Sequence, residues 1–331
     1  MPDLATPFAL GTFRGDAADQ PFAGLVAQER VLRLDLLSSV RDVVAGNVTT
    51  RALLERWDDT HPILAAAAGD STIGEWHELA GLDVRPPVDP RQIVQAGANY
   101  RTHVIDLAVQ HAELTPERTE AVVRAETAQM MDRRAAEGIP YFFLGLPSAI
   151  TGPYDDVELP AYSTKHDWEL ELVAVIGRRA FHVGVEDALE HVAAYTIAND
   201  LTTRDLVFRR DMPEIGTDWF RAKNAPGFLP LGPYLVPAEF VGDPMDLRLT
   251  LQLNGDTMQD ESTKDMIFDV ATLVSHASRT APLLPGDLLL TGSPAGNGMH
   301  HGRLLRDGDV MTSTITGMGR QRTRCIAGST A

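Results

Sequence analysis

The chain has 331 residues, with 29 Lys and Arg against 46 Asp and Glu, a net charge of −17 at neutral pH. That sign excludes a nucleic-acid binder, which needs a basic surface to release counterions, and it excludes docking on anionic lipid. A hydrophobic content of 44% describes an ordinary globular chain of about two domains, and the single cysteine, Cys325, forbids an internal disulfide or a thiolate zinc cluster.

The opening MPDLATPFALGTFRGD has no basic stretch followed by an apolar run. The longest apolar runs, such as residues 172–176, are far too short to span a membrane, so a cytoplasmic protein is expected. The first 34 residues carry short apolar segments split by polar turns, which predicts a small sheet. Residues 35–80 read as helical, with Leu36, Val40, Val43 and Val44 on one face and Leu53, Leu54 and Trp57 on another. Pro86, Pro87 and Pro90 then forbid a continuous helix and mark a domain boundary near residue 88.

Residues 93–96 read as a strand and 102–137 as a charged, largely helical stretch. Beyond Pro140 the chain consists mostly of short β runs between turns. Asn254-Gly255 has the composition of a type I′ hairpin turn, and residues 268–279 form a short helix by periodicity.

The stretch WELELVAVIG, 168–177, is a predicted strand. Period-two alternation puts Trp168, Leu170 and Leu172 on one face, and Glu169, Glu171, Val173 and Val175 on the other. Two carboxylates leading into a buried row would repel each other and lose hydration; a hard divalent cation relieves both costs. The competing reading is an edge strand whose polar face meets water. A second strand, 195–198, ends in Asn199-Asp200, where Asp200 is either turn chemistry or a third oxygen ligand. Arg204, Arg209 and Arg210 form a local basic group that suits either an anionic substrate or surface ion pairs.

His103 and Asp106 lie three apart on a predicted helix, so they share a face and could form a general-base dyad, although such pairs also arise by chance. His300-His301, in a glycine-rich loop, fits either a metal ligand pair or a loop tip.

The segments ANYRTH (98–103), FFLGLPSAITGP (142–153), DWELELVAVIG (167–177), ANDLTTRD (198–205), WFRAKNAPGFLPLGPYLV (219–236), LNGDTMQDESTKDMIFD (253–269) and LLPGDLLLTGSPAGNG (283–298) together resemble the fumarylacetoacetate hydrolase family. They occur in the family's order across most of residues 93–324. The resemblance implies an α+β, mostly β fold: a mixed, rolled β-sheet catalytic domain over 89–331, preceded by a small α/β domain over 1–88. It implies a metal, Mg²⁺ or Mn²⁺ with Ca²⁺ as a crystal substitute, held by Glu169, Glu171 and Asp200. His103 matches a water-activating histidine, with Asp106 where relatives often have Glu. Lys223 matches a lysine that stabilises developing negative charge. Tyr100, Arg101, Arg204 and Ser293 are the implied substrate contacts, and the glycines of TGSPAGNG allow the backbone to approach a ligand closely.

The chain departs from the family pattern at Gly145, where relatives carry lysine, and at Val207, where they often carry glutamine. Both changes imply a less polar substrate. Residues 107–140 form an insertion expected to be a helical lid. The expected activity is metal-dependent hydrolysis of a C–C bond in a 1,3-diketo or acylpyruvate-type 2-oxo acid. The alternative is a decarboxylase, isomerase or hydratase working through the same enolate, and a non-catalytic binding relative is the remaining class. A homodimer is expected from the family, with no nucleic-acid or membrane partner.

Overall fold

The computed structural model describes residues 6–16 and 19–328, so the outermost residues of the two expected domains, 1–5 and 329–331, lie outside the description, as do 17–18. The expected N-terminal sheet has five antiparallel strands, in the order Trp76–Glu78, Arg30–Arg33, Phe22–Ala27, Ala9–Arg14, Asp83–Arg85. The stretch read as uniformly helical is shorter in helix than expected. It holds Ser38–Arg41, Thr50–Leu54 and Trp57–Ala68 and then returns to the sheet at Trp76–Glu78. Val40, Val44, Leu53 and Leu54 are buried as their spacing requires, whereas Leu36 is exposed.

The centre is a mixed six-stranded sheet, in the order Val236–Pro237, Val192–Asn199, Leu170–Ile176, Leu288–Leu290, Ile93–Gly97, Tyr141–Gly145. Leu288–Leu290 runs parallel to Ile93–Gly97, and the other neighbours are antiparallel. A second, five-stranded sheet carries the hairpin Arg248–Leu253 to Asp256–Ser262. Asn254 (φ 55°) and Gly255 (φ 95°) make its turn left-handed at both central positions, as a type I′ turn demands. Helix Val270–Thr280 is capped by Asp269, whose carboxylate accepts from Thr272 N at 2.7 Å, and it buries Val270, Leu273, Val274 and Ala277 at helical spacing.

Strand Leu170–Ile176 is buried at every position, so its acidic face does not meet water as an edge strand's would. Trp168, Leu170, Leu172, Ala174 and Ile176 join an apolar cluster that includes Leu249, Leu251 and Leu273. Val173 and Val175 join the other cluster, with Leu10, Leu25, Leu53 and Leu288. The N-terminal sheet therefore shares its core with the central sheet. Leu10 and Leu235 also exchange backbone hydrogen bonds of 2.9 and 2.8 Å.

Over the end of the central sheet lie helices Arg101–His111 and Glu120–Glu137, where the lid was expected. The longer one buries Val123, Thr127 and Met131. Its anchors are polar: Asp132 accepts from Arg101 at 2.8 Å, and Arg134 donates to the Ala98 carbonyl. Among the described residues no helix is long and apolar enough to cross a membrane.

Candidate metal centre

Antiparallel pairing brings the acidic residues together. Leu170 faces Asn199 and Glu171 faces Ala198, so Asp200, one residue past its strand, arrives beside Glu169. Two hydrogen bonds seal that junction: Asp200 N to Glu169 O at 2.8 Å, and Glu169 N to Asn199 Oδ1 at 2.9 Å. Glu169, Glu171 and Asp200 are all buried and offer oxygens within 4.8 Å of one another, the only such ligand group among the described residues.

Two cations enter from outside the strand pair. Lys223, at the end of the short helix Trp219–Lys223, donates from Nζ to Glu169 Oε2 at 2.7 Å and also to Asp200 Oδ2. Arg204 donates from Nη2 to Glu169 Oε1 and from Nε to Asp167 Oδ2, each at 2.7 Å. Asp167 is fully buried, and its carboxylate also accepts from the backbone of Trp168 and Gly298, at 2.8 and 2.6 Å. A Cβ on Gly298 would fall 2.5 Å from Asp167 Oδ1, so only glycine permits that approach. Gly292 (φ 92°) likewise offers its N–H to Glu171 Oε2 at 2.7 Å. These glycines of TGSPAGNG thus bring the backbone to carboxylates.

The charge count tests the fit of a metal. Asp167, Glu169, Glu171 and Asp200 face only Lys223 and Arg204, leaving a deficit of two positive charges in a buried space. Burial opposes the Glu169 charge, yet Lys223 and Arg204 outweigh it and hold its pKa below the ordinary carboxylate range. Glu171 hydrogen-bonds no cation; burial, reinforced by Asp200, outweighs Lys223 nearby and pushes its pKa well up. Burial also raises Asp200. Oxygen donors with a shortfall of two charges match a hard divalent cation.

The triad opens on a cavity of about 350 Å³ that also takes in His103, Arg204, Lys223 and Ser293. His103 is buried, and desolvation lowers its pKa to about 4, against the raising influence of Glu169. The expected dyad is not assembled: no hydrogen bond joins His103 to Asp106 among the described residues. Asp106 Oδ1 instead accepts from Arg124 Nη1 of helix Glu120–Glu137 at 2.8 Å, and Asp106 Oδ2 lies 3.4 Å from His300 Nδ1. The i,i+3 spacing was legible in the sequence, but the competing guanidinium comes from eighteen residues on and was not.

Two expected substrate contacts lie away from the cavity lining. Arg101 is bound to Asp132, and Tyr100 is fully buried, its phenol pKa raised by burial and by Glu171. Ser293 lines the cavity and accepts from Gln259 Nε2 at 3.1 Å. Arg209 is spent on Asp211 and Asp218. His301 meets the Met258 carbonyl at 2.9 Å, so the His300–His301 pair is no ligand set with the triad. Sequence reasoning missed Asp167, although it directly precedes the Trp-Glu-Leu-Glu run, and it missed the aromatic residues Phe143 and Trp219 on the cavity wall.

A family model described as fumarylacetoacetate (FAA) hydrolase C-terminal matches residues 92–326. The chain belongs to the fumarylacetoacetate hydrolase family. A 2,4-didehydro-3-deoxy-L-rhamnonate hydrolase of Sphingomonas sp. (strain SKA58) is 42% identical over 186 residues, covering 55% of this chain and 64% of that protein. A human mitochondrial oxaloacetate tautomerase, FAHD2B, is 38% identical over 182 residues, covering 54% of this chain and 57% of its own length. The chain thus spans about three fifths of the curated relatives it matches. The solved fumarylacetoacetate hydrolase of Exiguobacterium antarcticum superposes with a TM-score of 0.72 at 28% identity, covering 96% of this chain and 100% of that one. In this family member the acidic triad, Lys223 and Arg204 all lie inside the matched segment, whereas the N-terminal sheet lies outside it.

Proposed function

We propose that this protein is a metal-dependent enzyme that moves a proton on a 2-oxo acid through an enolate, as a tautomerase or isomerase, with residues 1–88 as a supporting unit and 89–331 as the catalytic one. The observation that carries the reading is that Asp106 accepts from Arg124 and not from His103. A histidine that hydrogen-bonds no carboxylate, and whose pKa burial lowers to about 4 despite Glu169 and Asp106 nearby, is a weak base. Deprotonating water demands more basicity than removing a proton from a carbon flanked by carbonyls, so this imidazole suits the second task.

Magnesium or manganese, held by Glu169, Glu171 and Asp200, would act as the Lewis acid that polarises the substrate's 2-oxo head. His103 takes the proton from C3 and returns it to the oxygen at C2, so the C3–H bond broken is matched by the O–H bond formed and the histidine ends as it began. Lys223, hydrogen-bonded to Glu169 and Asp200 on the cavity wall, favours the ionised form of both carboxylates and adds positive charge beside the place where negative charge gathers. Arg204 holds Glu169 ionised and in place. The cavity, walled by Phe143 and Trp219, limits water.

A second reading, C–C bond hydrolysis, is supported by the 42% identity to a protein named as a hydrolase. The two are separated by incubating 2-oxo and diketo acids with Mn²⁺-loaded enzyme. Proton transfer gives C3 deuterium exchange in D₂O without fragmentation; hydrolysis places ¹⁸O from labelled water in a new carboxylate. Cleavage as the main outcome would reverse the order of the readings. The same proposal takes a cytoplasmic homodimer as the working form. The exposed Leu144, Phe208 and Phe220 and the single buried cysteine support it.

A further inference from the structure

The cavity has a charged end and an apolar end. At the charged end, both cationic residues that line it are already spent: Arg204 on Asp167 and Glu169, Lys223 on Glu169 and Asp200. At the other end stand Phe143 and Trp219, stacked on one another with ring centroids 5.0 Å apart and planes 20° from parallel, an aromatic pair on the cavity wall. Lys223 Nζ lies 5.7 Å from the Phe143 centroid and 5.6 Å from that of Trp219, which sets this wall directly beside the charged end. Val104 and Leu107, three apart on helix Arg101–His111, add an aliphatic stripe to the same cavity.

Resting on the function proposed above, we infer that the substrate is a 2-oxo monocarboxylate whose far arm is apolar and planar, an aromatic or conjugated chain that stacks on Phe143 and Trp219. A divalent ion brings the four carboxylates and two cations to neutrality, and the single carboxylate of a 2-oxo acid is then the only charge the site must accommodate. A second carboxylate on the far arm would be desolvated against two aromatic rings with no uncommitted Lys or Arg to meet it. A planar arm gains burial and stacking there. Phe143 and Trp219 are thus specificity-determining residues.

The test is isothermal titration of Mn²⁺-loaded protein with phenylpyruvate and with 2-oxoglutarate. Phenylpyruvate is expected to bind at least tenfold more tightly, about 1.4 kcal/mol. Trp219→Ala, and independently Phe143→Leu, should weaken phenylpyruvate at least fivefold and leave 2-oxoglutarate within twofold. Leu107→Arg should strengthen 2-oxoglutarate at least fivefold. Equal or tighter binding of 2-oxoglutarate, or equal losses for both probes in the wall variants, overturns the inference alone. Failure of both probes to bind overturns the proposed function and the inference with it. Selective binding without C3 exchange or cleavage overturns the function and leaves the wall's selectivity standing.

Discussion

Arg124 donates to Asp106 at 2.8 Å, and in doing so fastens helix Glu120–Glu137 to the helix that carries His103. The carboxylate therefore serves the pairing of the two helices. Asp106→Asn is expected to change kcat less than about threefold and to cost about 1 kcal/mol of stability, the scale of a partly buried ion pair. A water-activating dyad would instead lose about a hundredfold or more in kcat. Steady-state kinetics beside urea unfolding separates the two.

Lys223 neutralises Glu169 and Asp200 at once. Lys223→Met leaves two buried carboxylates without their shared partner and should destabilise the metal-free protein by about 3–5 kcal/mol. Mn²⁺ should restore much of that loss, because its charge replaces the ammonium's, while turnover stays at least about a hundredfold down. Thermal unfolding with and without Mn²⁺ reads the first effect and C3 exchange the second.

Glu171 is the triad member without a cation of its own, and its raised pKa marks the cost of ionising it there. Glu171→Gln keeps the hydrogen bond from Gly292 and removes that cost. The metal-free variant is expected to be more stable than the parent by about 1 kcal/mol. It should also lose the rise in stability that Mn²⁺ gives the parent, about 2.7 kcal/mol at a hundredfold excess over Kd. An undiminished Mn²⁺ response in this variant would sink the ligand assignment.

Burial pushes the folded His103 pKa down to about 4 from the ordinary value of 6.5 that the unfolded chain keeps. Between those values the unfolded chain binds the extra proton, so stability is full above pH 6.5 and falls as the pH drops toward 4. The loss amounts to about 3 kcal/mol in all. His103→Gln should flatten this part of the profile, measured by urea unfolding at pH 7 and 4.5 in EDTA. An unchanged slope in the variant would place the titrating group elsewhere.

Removing residues 112–135 takes away most of helix Glu120–Glu137 together with Arg124, Asp132 and Arg134. KM is expected to rise at least about tenfold, since helix Arg101–His111, which carries His103, loses its ties to Arg124 and Asp132. Unchanged kinetics would deny the lid a role in turnover.

The sequence by itself determined the elements whose logic is local. Period-two alternation assigned Glu169 and Glu171 to one face, and Asn254-Gly255 specified its turn. Side-chain direction along a strand and left-handed turn geometry depend on neighbouring residues alone. Only the tertiary structure decided which charges meet. Asp167 finds Arg204 across 37 residues, Lys223 reaches Glu169 across 54, and Phe143 stacks on Trp219. Such pairings follow from strand order and from helices laid over the sheet, so they leave no period in the chain. For the same reason Asp106, three residues from His103, belongs to an arginine eighteen residues away.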